Sequence, residues 1–272
     1  MLAHGCGAGA VRFSRASAYY RAVTEGKPRV AIFGATSAIA AEIARLYAGR
    51  GARLFLVGRD PAKLRALVDA RGDAVAGSHE ADLTAPGAAG AAVAAALDTL
   101  GGMDVAVIAH GWLGDQLVSE RDVAEAERII ATNFTSVIAL LVPLGNHFEA
   151  AGAGNIAVLS SVAGDRGRPR NYTYGAAKGA LNIYLQGVRT RLWSRGVRVQ
   201  TLKLGPVDTP MTATHKKNAL FARADTVAAG IVAAIDAGRA EVYVPWYWRL
   251  IMAVVRNLPE RVLQRLQALS GR

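Results

Sequence analysis

The stretch Arg29-Val30-Ala31-Ile32-Phe33-Gly34-Ala35-Thr36-Ser37-Ala38-Ile39-Ala40 decides the fold. A short apolar run ends at a glycine, and small residues then lead into helical spacing. Such a run, bounded by a turn, is the pattern of a buried strand. A tight turn into a helix offers backbone N–H groups and the positive end of the helix dipole to an anion such as a pyrophosphate. Glycine is expected wherever backbone must approach a phosphate or another element. This makes Gly34, Thr36, Ser37 and Ile39 candidates for holding a nucleotide. The turn alone is weak evidence. Only Gly34 is glycine, Ala38 and Ala40 hold the other small positions, and similar turns occur in α/β proteins that bind no nucleotide.

The same alternation continues along the chain. Helical spacing covers Ala38–Gly49, Ala52–Val57 reads as a strand, and Pro61 suits the first turn of a helix running to about Ala70. Strands follow near Ala74–His79 and at Asp104–Ala109, with an alanine-rich helix over Gly90–Leu100 between them. Val123–Ala150 is one long helix or two. Asn155–Ser160 and Val197–Leu204 are strands flanking a helix over Tyr174–Ser194, and Glu241–Val244 is a seventh strand. This order predicts an α/β fold: a single doubly wound domain, with a seven-stranded parallel sheet covered by helices on both faces. No linker or repeat divides residues 28–245. Ligands of such sheets bind beyond the carboxyl ends of the strands. Gly34, Arg59, Asp82, Gly111, Ser161 and Gly205 all follow strands.

Composition narrows the partners. Of 272 residues, one is cysteine, so an internal disulfide is impossible and a cysteine zinc site is not expected. The five histidines show no ligand spacing, and no metal is expected. A net charge of +11 suits nucleic acid, an anionic membrane surface or a phosphorylated small molecule. With no zinc-finger spacing and no basic region before heptads, nucleic acid is not expected. Residues 1–27, with Arg12, Arg15 and Arg21, read as a loose amino-terminal extension without the apolar centre of a signal peptide. No uninterrupted apolar run reaches the roughly 18 residues of a membrane span. The expected location is cytoplasmic, with association to the inner face of the membrane left open.

The chemistry is carried by Tyr174-Gly175-Ala176-Ala177-Lys178. Residues four apart share a helix face, so phenol and ammonium point into one space. A tyrosine with a pKa of about 10 is a poor proton carrier at neutral pH. A neighbouring cation is expected to lower that value. The pair then suits a general acid for a carbonyl that receives a hydride, or a base for the reverse reaction. Ser161, at a strand end, is placed to hydrogen-bond the oxygen where charge changes. Asn133, inside a helix, can anchor a water leading to Lys178. Singly, each has an ordinary reading as cap, core aromatic, surface charge or packing amide; their shared sheet edge sets them apart. After the second strand, where NAD sites commonly place a carboxylate, stand Gly58 and Arg59. A guanidinium pairs with a 2′-phosphate, so NADP(H) is preferred and NAD(H) is allowed. Arg59 as a solvated charge, or Asp60 reaching a ribose, remains open.

These residues resemble the short-chain dehydrogenase/reductase family over about residues 28–245. Tyr174 and Lys178 match its Tyr-x-x-x-Lys, Ser161 its serine and Asn133 its helix asparagine. The resemblance implies a Rossmann-type domain. It also implies that Asp82 and Leu83 meet adenine, and that Val207 and Thr209, in Gly205-Pro206-Val207-Asp208-Thr209, meet the nicotinamide carboxamide. The chain departs from the family at Ala38 and Ala40 in the glycine motif, at Ile108-Ala109-His110-Gly111, and at Leu204-Gly205. His110 through Asp115, Ser160 through Lys178 and the carboxyl-terminal segment are similar to decaprenylphosphoryl-2-keto-ribose reductases. That narrower resemblance implies hydride transfer to a keto sugar on a polyprenyl phosphate, with a flavin oxidase as partner. Arg166, Arg168 and Arg170 fit its phosphate, or else form a solvated basic loop. Residues 246–272 read as an amphipathic helical segment that suits a membrane interface, a pocket cover or another subunit. A homo-oligomer is expected. Two alternatives stand: the same chemistry on a free small ketone, steroid or acyl substrate, and a nucleotide-binding partner subunit without turnover.

Overall fold

The computed structural model describes residues 27–213 and 217–265. The amino-terminal extension, apart from Lys27, and the last seven residues of the amphipathic segment lie outside the described residues.

The first half of the sheet comprises β1 (Arg29–Phe33), β2 (Arg53–Gly58) and β3 (Val75–Glu80), linked by helices α1 (Ala38–Ala48) and α2 (Pro61–Arg71). Helix α3 (Ala88–Leu100) leads to β4 (Val105–Ile108), and a single turn, α4 (Gln116–Ser119), follows it. The long helical stretch is α5 (Val123–Ile130), a π-helical turn over Ala131–Thr135, and α6 (Ser136–Ala151). Then come β5 (Gly154–Ser161), α7 (Tyr172–Trp193) and β6 (Val197–Leu204). The seven strands, closing with β9 (Glu241–Val244), lie in the order β3-β2-β1-β4-β5-β6-β9, and every ladder is parallel. The predicted sheet is therefore the observed one. Strand order reverses between β1 and β4, which opens a crevice at their carboxyl ends.

Successive side chains of a strand point to opposite faces. Val30 and Ile32 pack with α1 and with α8 (Ala224–Asp236), whereas Ala31 and Phe33 pack with α3, α6 and α7. Both faces are buried, so these strands read as continuous apolar runs. Helix α8 is absent from the sequence-based order, although Val227, Ile231 and Ile235 recur at helical spacing and are buried. Before it, β7 (Val207–Asp208) pairs with β8 (Ala222–Arg223) as a small separate ladder. The stretch Val123–Ala151 is long and apolar enough to cross a membrane by length and composition. Its hydropathy is explained by packing, since Val137, Leu140, Leu141, Leu144 and Phe148 are buried against the sheet and its helices. After β9 come α9 (Trp248–Asn257) and α10 (Glu260–Arg265). Trp248, Met252 and Val255 of α9 bury against Val162, next to Ser161.

Candidate active site

Gly34 has φ +83°, a conformation that costs most side chains, and a Cβ there would stand 2.5 Å from the backbone N of His110. The turns after β1 and β4 therefore touch. The N–H groups of Gly34 and Ala35 both donate to Val57 C=O, at 2.9 and 2.8 Å. Ser37 caps α1, its Oγ accepting from Ala40 N at 3.2 Å. The remaining first-turn N–H groups lack intrahelical acceptors. Ala40 is fully buried and Ile39 packs partly into the same core, so the alanine substituted for a family glycine fills space between α1 and the sheet. At the end of β2 the methyl of Thr36 fits against Gly58, where a Cβ would come within 2.8 Å. Arg59 is exposed. Asp60 is committed elsewhere: its carboxylate accepts from Lys63 N at 3.0 Å and caps α2. Asp82 accepts from the N and Oγ1 of Thr84, at 3.0 and 2.7 Å. Those bonds hold its pKa below the usual carboxylate range, and the Arg59 charge assists. The Leu83 side chain is buried in the α3-side core.

His110 completes this rim. Its Nε2 lies 2.8 Å from Ser136 Oγ, whose own proton goes to Thr132 C=O at 2.8 Å. Nε2 is therefore the protonated nitrogen, and Nδ1 is a buried acceptor without a partner among the described residues. Burial pushes the imidazole pKa down to about 3, with the Lys178 charge adding to the shift and Asp82 opposing it. A turn of small residues, a helix amino terminus and an orphan buried acceptor together fit a dinucleotide lying across the β1–β4 crevice.

The catalytic candidates converge at the ends of β4 and β5. Helix α7 begins two residues earlier than the spacing predicts, so Tyr174 is its third residue, with Lys178 one turn on. Lys178 Nζ lies 5.8 Å from the Tyr174 ring centre and donates to Leu159 C=O at 3.2 Å. Burial pushes Lys178 down to about 8. It pushes Tyr174 up to about 12, and the opposing influence is a hydrogen bond with Ser161. The expected lowering of the phenol pKa by Lys178 is not seen here: burial raises it, and Ser161 rather than Lys178 opposes the rise. The phenol is a neutral proton donor, as a ketone being reduced requires.

Close backbone packing sets the Ser161–Tyr174 approach. Ser161 Oγ caps a 3-10 turn over Val162–Asp165, accepting from Ala163 N at 3.1 Å. That turn lies directly on α7. A Cβ on Gly164 would come within 2.7 Å of Gly179 N, and one on Gly175 within 2.8 Å of Ala163 O. Glycines at 164, 175 and 179 thus let the turn bearing Ser161 rest on the helix bearing Tyr174 and Lys178.

Asn133 sits within the π turn, fully buried. Its Oδ1 accepts from Trp112 N at 3.2 Å, and its Nδ2 donates to Trp112 C=O at 2.6 Å and Ile129 C=O at 2.9 Å. The amide therefore pins the loop after β4. Gly111 in that loop leaves room for Asn133, and a Cβ there would stand 3.6 Å from Lys178 Nζ. Beyond β6, Thr212 Oγ1 closes the loop by donating to Val207 C=O at 2.6 Å and accepting from Thr209 N at 3.3 Å. The Trp248 indole lies against Gly205.

The three loop arginines part company. Arg166 pairs with Glu260 of α10 at 2.6 Å, which draws it away from the role of free phosphate ligand. Arg168 lines an open cleft of about 580 Å³ with Glu120, Gly167, Pro169, Tyr172 and Glu260. Burial lowers the Arg168 pKa and nearby Arg170 adds to the shift. Sequence reading missed the cluster beside this loop. Lys203 of β6 is buried and donates to Asp165 at 2.7 Å and to Glu241 at 2.8 Å. The Tyr243 hydroxyl donates to the second Asp165 oxygen at 2.7 Å. A lysine within a strand buried on both faces is the signal that marks this cluster.

The comparisons with known proteins agree with this geometry. A family model described as short chain dehydrogenase matches residues 28–220. The chain is 35% identical over 244 residues to an uncharacterized oxidoreductase, Rv2073c, of Mycobacterium tuberculosis (strain ATCC 25618 / H37Rv), covering 89% of this chain and 98% of that one. It is 33% identical to the uncharacterized oxidoreductase in the mprA 5′ region of Streptomyces coelicolor, covering 89% and 97%. A solved 3-ketoacyl-(acyl-carrier-protein) reductase from Brucella melitensis, complexed with NADH, superposes with a TM-score of 0.73 at 25% identity over 79% of this chain and 95% of that one. An actinorhodin polyketide ketoreductase variant with NADPH shares the fold, with a TM-score of 0.73 at 22% identity over 85% and 98%. With serine, tyrosine and lysine gathered at the crevice of this sheet, the chain belongs to the short-chain dehydrogenase family and is an NAD(P)-dependent oxidoreductase.

Proposed function

We propose that the chain is an NADPH-preferring reductase of a ketone, namely a keto sugar carried on a polyprenyl phosphate. The observation that carries the phosphate part is Arg168. Its guanidinium is partly buried on the loop between Ser161 and Tyr174, in a cleft shared with Glu120 and Glu260. A partly desolvated cation gains from an anionic partner. A phosphate oxygen pair accepts parallel N–H bonds from a guanidinium and supplies that partner. Arg170 supplies a second charge nearby. The nucleotide preference is supported at the end of β2, where Asp60 is occupied as a helix cap and Arg59 stands exposed.

When bound, the reduced nicotinamide supplies the hydride. Tyr174 gives its proton to the carbonyl oxygen, which the Ser161 hydroxyl holds. Lys178, when protonated, offsets the phenolate left on Tyr174 and holds ribose hydroxyls. Asn133 keeps the loop at Gly111–Trp112 in place beside Lys178. The same proposal includes contact with the inner face of a membrane. Its support is α9, whose outward side carries Leu250 and Val254 beside Arg249, with Trp246 just ahead. It also includes a homo-oligomer and a flavin oxidase that generates the keto sugar.

The test is NADPH oxidation with a prenylphosphoryl keto-pentose, measured against its dephosphorylated form, an acetoacetyl thioester and simple cyclic ketones. The phosphorylated sugar is expected to be the best substrate. Arg168→Ala is expected to raise KM for it alone. An equal rise on a neutral ketone would remove the phosphate assignment.

A further inference from the structure

We propose that Asp165 is a positioning residue for Ser161, held by Lys203 and Tyr243 so that the turn between them has one geometry. Only the family-level reading of Ser161 is needed for this, and it holds for any ketone substrate. The turn Val162–Asp165 starts at Ser161 and ends at Asp165. Its start is fixed by the Ser161 cap and by Val162 packing under Trp248, Met252 and Val255. Its middle rests on the glycines of α7. Its end is fixed by two bonds to one carboxylate, Lys203 Nζ to Oδ1 and Tyr243 Oη to Oδ2, both 2.7 Å.

The register places this clamp beside the chemistry. Lys203 lies opposite Ser160 on one side and Tyr243 on the other, and Leu204 lies opposite Ser161. Lys203 Nζ also stands 5.2 Å from the Tyr243 ring centre. The Asp165 and Lys203 side chains are each 4% exposed. A buried ion pair is weak as a source of stability, because well-packed apolar residues often serve as well or better. What it supplies here is direction. A carboxylate gripped at both oxygens cannot rotate, so the four residues behind it cannot slide along α7. The cluster also feels the carboxyl-terminal segment, since the Arg256 guanidinium of α9 has its pKa raised by Tyr243 and by the Asp165 charge.

The experiment is a double-mutant cycle between Asp165→Asn and Ser161→Ala, read as kcat for NADPH-driven reduction of an acetoacetyl thioester. In the native background Asp165→Asn is expected to lower kcat about ten-fold, the order expected for a sub-ångström misplacement. In the Ser161→Ala background the same change is expected to cost less than about two-fold, because residues that act as a unit are not additive. NADPH Kd should stay unchanged in both. Tyr243→Phe, which keeps the ion pair, should show the same coupling at smaller amplitude. Amide hydrogen exchange needs no substrate, and residues 160–166 should exchange faster in Asp165→Asn while β1 and α1 do not. Equal fold-losses in the two backgrounds, or unchanged exchange of 160–166, would overturn the proposal. Failure of the prenylphosphate assay would leave both readouts standing.

Discussion

Replacing Gly164 with alanine tests the central geometry most directly. The new Cβ would sit 2.7 Å from Gly179 N and from the carbonyl carbon of Lys178, and 2.8 Å from Asn182 Nδ2. Ordinary contact for such a carbon begins at 3.4 Å, so turn and helix must part by 3.4 − 2.7 = 0.7 Å. The nearest obstacles are backbone atoms, and no rotamer change can absorb the shift. Ser161 belongs to the turn; Tyr174 and Lys178 belong to the helix. The displacement therefore enters the distance between the hydroxyl and the phenol. A misplacement of 1 Å can cost about 100-fold in rate, so a loss of roughly 10–30-fold in kcat is expected. Overpacking should also cost about 1–3 kcal/mol of stability. The assay is kcat at saturating NADPH, with NADPH Kd and Tm measured alongside. NADPH Kd should change far less than kcat, because only Lys178 of the nucleotide's contacts lies on the displaced helix and the rest of the crevice lies at β1 and β4. Gly187→Ala, on the same helix with no atom within 4 Å of its Cβ, is the control and should leave kcat unchanged. A Gly164→Ala enzyme with native kcat and a lowered Tm would refute the reasoning, since it would show that the close approach serves stability alone.

Tyr174→Phe should remove turnover while NADPH still binds, checked by fluorescence titration beside the rate assay; a fully active variant would sink the assignment of the proton donor. Lys178→Met should be inactive yet more stable at pH 7. The folded pKa of about 8 lies below the ordinary 10.5, so the unfolded chain binds the extra proton between these values. Native stability therefore rises with pH through that window and is diminished below it, by about 3 kcal/mol at most. Thermal melts of both proteins from pH 7 to pH 10 check this: the gap should close as pH rises, and a constant gap would contradict it. Arg59→Asp should weaken NADPH more than NADH, read from the two Kd values, and an unchanged ratio would discard Arg59 as the 2′-phosphate contact.

The sheet is legible in the sequence because parallel strands buried on both faces need unbroken apolar runs, as in Arg29–Phe33 and Asn155–Ser160. Ser161, Tyr174 and Lys178 are legible because strand ends and helix spacing place them without knowledge of packing. Tertiary contacts decided the rest. No local rule says that Asp60 turns back to cap its own helix, or that Arg166 reaches Glu260, 94 positions away. Nor does spacing reveal how strongly burial acts, and so the phenol rises where the lysine was expected to lower it. Helix α8 and the Lys203 cluster did leave traces. One was a run of apolar residues at four-residue intervals, and the other a cation where a strand had no solvent to offer it.

The π turn at Asn133 has a consequence for how the chain can change length. Ser136 N–H reaches back five residues, to Ala131 C=O, so this helix carries one residue more than regular winding requires. Removing a single residue there would restore regular winding and leave α5 and α6 in register, so Val137, Leu140, Leu141 and Leu144 would keep their places in the core. The bulge that carries Asn133 would be lost, and with it the placement of the amide against the backbone of Trp112. Substitutions on either side can be tolerated one at a time, but the count of residues between Ile129 and Val137 is tied to the site.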